Sequence, residues 1–99
     1  MPRIYIPTRG NREYKGVEKW GEPTFLTHGN IPMYTPNALH SLLLNKMADS
    51  KPSDYLVPCG PASVRMMAAA LLASKHGVLN LLLWQEKSRE YMERTVHFH

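Results

Sequence analysis

Short apolar runs, punctuated by proline and glycine, alternate along the chain with two longer amphipathic stretches. Ile4, Tyr5 and Ile6 make Arg3–Pro7 a short strand, and the flanking Pro2 and Pro7 suit a strand at the edge of a sheet. The polar stretch Thr8–Gly21 contains Gly10, Gly16 and Gly21 and reads as a loop, with Val17 and Trp20 as its apolar anchors. Pro23–Thr27 is a second strand, closed by His28, Gly29 and Asn30. Leu39, Leu42, Leu43 and Met47 recur at helical spacing and predict a helix over Thr35–Ser50. Thr35 suits the cap and Pro36 the first helical position, where its missing N–H costs nothing. The continuous apolar run in Asp54–Pro58 suits a strand covered on both faces.

The strongest helical pattern is Pro61–His76, where Val64, Met67, Ala68, Leu71, Leu72 and Lys75 fall on one stripe. Ala68, Ala69, Ala70 and Ala73 favour helix and permit close approach to a sheet, and Gly77 suits the left-handed residue that ends it. Val78–Gln85 is a fourth strand. Glu86–Arg89 turns the chain, and Glu90–Val96 returns as an antiparallel partner with Met92 and Val96 on one face. His97, Phe98 and His99 form a tail. The order β, loop, β, α, β, α, β, β contains two βαβ units. The expected fold class is therefore α/β, with a small, mostly parallel sheet and an antiparallel C-terminal edge strand.

The length of 99 residues fits a single domain, 1–99. Apolar residues at 43% and charged residues at 20% are globular proportions. So short a chain leaves no room for a lid or a second domain, and a catalytic site would have to be built from two or three loops or be shared between subunits. Cys59 is the only cysteine, which excludes an intramolecular disulfide and an all-cysteine zinc site. With no signal-peptide core and no apolar stretch long enough to span a bilayer, the expected location is the cytoplasm, with no membrane association. The net charge of +4 lies mostly in residues 1–20, where five bases face two acids. The basic side chains Arg9, Arg12, Lys15 and Lys19, interleaved with Tyr14 and Trp20, are a candidate nucleic-acid contact, diluted by Glu13 and Glu18.

Each of the first three strands is followed closely by glycine, in Thr8-Arg9-Gly10, Thr27-His28-Gly29-Asn30 and Cys59-Gly60-Pro61. In a parallel sheet these loops share the carboxyl edge, where open α/β folds bind ligands. Gly60 leads into a helix whose free N–H groups attract anions. The candidate ligand-binding residues are Arg9, Gly10, His28, Gly29, Asn30, Cys59, Gly60, Ser63 and Arg65. The plainer reading is that tight βα turns use glycine for its conformational freedom.

Cys59 and Arg65 also form a C-x5-R pattern between strand and helix, which resembles the phosphate loop of cysteine-dependent phosphatases. The sequence departs from that loop at three points. Met66 replaces the hydroxyl residue that assists the leaving thiolate, Pro61 removes a cradle N–H, and Pro58 precedes the cysteine. No catalytic residue is assigned. The five histidines are scattered, with only His97 and His99 paired, so no metal or cofactor is expected. Asn80 interrupts an apolar strand and needs a hydrogen-bond partner or an exposed edge.

The segments Asp54-Tyr-Leu-Val-Pro-Cys-Gly60, Ala68-Ala-Ala-Leu-Leu-Ala73, Lys75-His-Gly-Val-Leu-Asn-Leu-Leu-Leu-Trp84 and Arg89-Glu-Tyr91 resemble small α/β proteins of unassigned function encoded by bacteriophages. Phe25-Leu-Thr-His-Gly-Asn-Ile31 extends that resemblance to residues 22–95. It implies a phage protein at work in the host cytoplasm and transfers no active site. The leading expectation is a non-enzymatic accessory protein that binds a host or phage macromolecule. The alternatives are a nucleotide or phosphorylated ligand at the carboxyl edge and, third, phosphatase-like chemistry at Cys59. Apolar edge strands and a small core make a homo-oligomer an expected state.

Overall fold

The structure is a computed structural model that describes residues 1–8, 16–29, 31–32 and 34–98. Five strands, β1 (Arg3–Thr8), β2 (Glu22–Thr27), β3 (Tyr55–Leu56), β4 (Val78–Gln85) and β5 (Glu90–His97), form one sheet in the order β2-β1-β3-β4-β5. The first four run parallel and β5 lies antiparallel to β4. Helices α1 (Pro36–Lys46) and α2 (Ala62–His76) supply the crossovers into β3 and β4. The α/β fold with a mostly parallel sheet and an antiparallel final strand is as the sequence predicts. No helix among the described residues is long and apolar enough to cross a membrane.

The chain steps from β1 outward to β2 and then returns across β1 to β3. With right-handed crossovers, that reversal puts the described end of the first connection, residues 16–21, on the opposite face from α1 and α2. The core divides accordingly. Tyr5, Leu26, Leu56 and Leu79 face Leu39 and Leu43 of α1 and Val64, Ala68 and Leu72 of α2. Ile4, Ile6, Val57 and Leu82 face the other way, onto Val17 of the 3-10 turn Val17–Lys19, with Trp20 alongside. Strand alternation explains the split: neighbours such as Ile4 and Tyr5 serve different layers. One layer is therefore helical, while the other includes a loop anchored where Val17 and Trp20 were expected to hold it.

Several boundaries differ from the sequence reading. β1, bracketed by prolines, is an interior strand and not an edge. It tolerates Pro7 because its ladder to β3 ends there. The Tyr5 carbonyl accepts the Val57 N–H at 3.0 Å. The next rung needs an N–H from residue 7, which proline lacks. The Val57 carbonyl takes the Cys59 N–H instead, at 2.9 Å. The same event confines β3 to Tyr55–Leu56 where Asp54–Pro58 was expected. α1 ends at Lys46, and Thr35 occupies its cap position without a side-chain hydrogen bond. Lys75 lies off the buried face of α2 and donates to the Ala48 carbonyl at 2.9 Å, while Ser50 Oγ and His76 Nε2 stand 3.0 Å apart, so the helices are fastened at their C-terminal ends. β5 extends to His97, and the Phe98 N–H continues its ladder to the Gly77 carbonyl at 3.0 Å.

Polar anchors fix the loop before β3. Buried Asp54 accepts the Arg3 N–H at 3.0 Å and the Lys51 N–H at 2.8 Å. Asn80 takes the first of its two predicted roles. Its Nδ2 donates to the carbonyls of Pro52 and Asp54, and its Oδ1 accepts the Thr95 hydroxyl.

Candidate functional site at the carboxyl edge

The parallel strands bring the ends of β2, β1 and β3 to one edge, in that spatial order. Of the predicted ligand-binding residues, Arg9, Gly10 and Asn30 lie outside the described residues, as do Arg12 and Lys15 of the basic segment. His28 and Gly29 are exposed at the end of β2, with the His28 ring 6.2 Å from that of Phe25. Gly29 has φ +67°. Gly60 has φ +81°, and a Cβ built there would lie 2.6 Å from Thr8 Cγ2. The end of β1 and the loop after β3 therefore touch at the reversal point, and glycine at 60 serves both the turn and the close approach.

Cys59 and Arg65 point to different work. Cys59 is buried in the loop-side cluster with Val57, Leu82 and Tyr91, and Trp84 packs against that cluster. Its N–H is committed to Val57. Arg65 is exposed, and its Nη1 donates to the Gly60 carbonyl at 3.3 Å, closing the loop over itself. α2 begins after Pro61, which brings no N–H, and the Val64 and Arg65 N–H groups bond the Pro61 carbonyl. Ser63, half-buried, stands in the first turn. The pair that matched C-x5-R is thus divided between a buried apolar cluster and a loop brace.

Two side chains that the sequence reading did not select define the exposed surface here. Tyr34, just before α1, is 93% exposed, and Met66, in the second turn of α2, is 68% exposed. Both helices start from this edge, so the two residues flank it together with His28 and Arg65. The available signal was Met66 itself, an apolar residue off the apolar stripe of its helix.

On the loop-side face, Glu93 of β5 accepts Trp20 Nε1 at 3.0 Å on one carboxylate oxygen and the Tyr55 hydroxyl at 3.0 Å on the other. Lys19 Nζ stands 4.4 Å from the Trp20 ring centroid, so this cation of the predicted basic patch is engaged within the chain. Burial and the adjacent Glu93 carboxylate hold the Tyr55 hydroxyl above its usual titration range. The Tyr5 hydroxyl, fully buried on the helix side, is also pushed up by burial. The neighbouring Arg3 guanidinium opposes that shift but closes no hydrogen bond of ordinary geometry with it.

Comparison with curated proteins found no match, and none was found among solved structures. Residues 2–98, nearly the whole chain, match a protein family whose description is phage Pam3 gp32-like protein. The resemblance to phage proteins read from residues 22–95 thus extends over both ends of the chain, and this chain belongs to the phage Pam3 gp32-like family.

Proposed function

We propose that the protein is a phage accessory protein without catalytic activity that works in the host cytoplasm by binding a macromolecule of host or phage. Its contact surface is the carboxyl edge, and the partner is a protein. The observation that carries the reading is the placement of Tyr34 and Met66, with Arg65 and His28, around one edge of the sheet. Tyrosine, methionine and arginine are the side chains that protein interfaces concentrate. Exposed apolar groups gathered at one edge offer a partner a surface to cover.

The test compares immobilised wild-type protein with a Tyr34→Ala/Met66→Ala variant in extract of infected host cells. A protein retained by the first and lost by the second, at unchanged melting temperature, supports the reading. Equal retention by both overturns it. The competing reading, a nucleotide or phosphorylated ligand at the same edge, is supported instead if a nucleotide panel raises the melting temperature and Arg9→Ala removes the rise.

A further inference from the structure

We propose that the protein forms a two-fold symmetric dimer by antiparallel pairing of β5 with β5 of a second copy, centred on Thr95. The two edges of the sheet are built differently. β2 carries Pro23, whose missing N–H blunts an edge, whereas β5 runs from Glu90 to His97 without proline, glycine or lysine. An edge of that length, charged at Glu90, Glu93 and Arg94 but free of proline along its ladder, is a template for another strand whose charges complement it. The Phe98 N–H bonds the Gly77 carbonyl, and His97 is opposite Val78, which fixes the hydrogen-bond phase. Even-numbered residues of β5 turn their backbone groups to β4. The N–H and C=O groups of Tyr91, Glu93, Thr95 and His97 point outward.

The side chains choose the register. A two-fold axis perpendicular to the sheet keeps the helical layers on one side, so each residue pairs with one on the same face. Centring on Arg94 sets two arginines opposite each other, and centring on Glu93 does the same for two glutamates; both are penalised. With the ladder extended to Phe98, centring on Met92 or Val96 pairs five residues of each strand, against seven for Thr95. Centring on Thr95 pairs the strands from Met92 through Phe98. Thr95 meets its own copy, Glu93 meets His97, and Met92 meets Phe98. The helix-side face of this region presents Leu83, Val96 and Phe98, at 37%, 43% and 49% exposure. α2 packs on β4 and β1, and the second copy extends cover over these residues. The inference is independent of the carboxyl-edge reading, because β5 lies at the far side of the sheet from β2.

Sedimentation equilibrium over a rising concentration series tests it. The expected mass climbs from the 11.3 kDa of one chain toward twice that value. Thr95→Pro removes an outward N–H together with the Thr95 hydroxyl bond to Asn80, which Thr95→Val removes alone, so the proline variant should keep the cooperative melt of Thr95→Val and remain monomeric, whereas Arg94→Pro removes a bond to β4 and should lower the melting temperature further. Wild type that stays monomeric throughout, or a folded Thr95→Pro variant that dimerises equally, overturns the proposal. If Thr95→Pro does not fold, the decision passes to Thr95→Cys in a Cys59→Ser background. Rapid disulfide-linked dimer under mild oxidation, with Lys87→Cys in the same background slow, supports the register; equal rates overturn it.

Discussion

A Cβ on residue 60 would stand 2.6 Å from Cγ2 of Thr8, so the loop after β3 and the end of β1 meet at a distance that only glycine permits. Gly60 also has φ +81°. Gly60→Ala therefore carries two costs, roughly 1–2 kcal/mol for the left-handed backbone and about 1–3 kcal/mol for the overlap. Thr8→Ser removes Cγ2 and keeps the hydroxyl. In a double-mutant cycle by urea unfolding, Thr8→Ser should return the second cost and leave the first.

Glu93 joins three segments remote in sequence, holding Trp20 on one oxygen and Tyr55 on the other. Glu93→Ala should loosen the 3-10 turn, shift Trp20 fluorescence toward that of a solvated indole, and cost about 1 kcal/mol, a modest figure because the carboxylate is exposed. Glu93→Gln removes the charge that adds to burial in raising the Tyr55 hydroxyl, so phenolate titration, assigned by the difference from Tyr55→Phe, should move part of the way to lower pH.

Tyr5 buries a hydroxyl with no closed hydrogen bond. Tyr5→Phe should be neutral or stabilising by about 1 kcal/mol, since an unsatisfied buried polar group costs about 1–3 kcal/mol. The pH dependence follows from the raised titration of Tyr5 and Tyr55. The folded state holds these protons more tightly than the unfolded chain. Their contribution is complete below the ordinary value of 10.0 and is lost as pH rises past it toward the folded-state values. The wild-type melting temperature should decline above about pH 10, and Tyr5→Phe should flatten that decline.

Asp54 accepts two backbone N–H groups, from Arg3 and Lys51, within a buried setting. Asn at this position offers one acceptor oxygen and turns an N–H donor toward the other amide. Asp54→Asn should cost about 2 kcal/mol in urea unfolding.

The fold was readable because its signals are local. The stripe of Val64, Ala68 and Leu72 marks α2 in any context, and the apolar run of β4 marks a strand covered on both faces. The errors arise where a long-range partner decides. Pro7 reads as an edge signal, yet it lies in an interior strand, because what matters is the rung to β3 that it omits. The candidate site was legible only as a place, the carboxyl edge. Which side chains face out there depends on packing: Cys59 turns inward to Leu82 and Tyr91, and Met66 turns outward. The double duty of Glu93 leaves no local pattern, since Trp20 and Tyr55 are distant along the chain.

The short central strand has a mechanical consequence. β1 with β2 and β4 with β5 are each long ladders, but among the described residues β3 joins one pair to the other only through Tyr55, Leu56 and the Val57 N–H bond to Tyr5. The line through β3 is thus a seam with few backbone rungs, whose cohesion depends more heavily on the side chains packed above and below it. Under tension applied across the strands, rupture should begin along that line, separating the molecule into two intact halves before either half unravels.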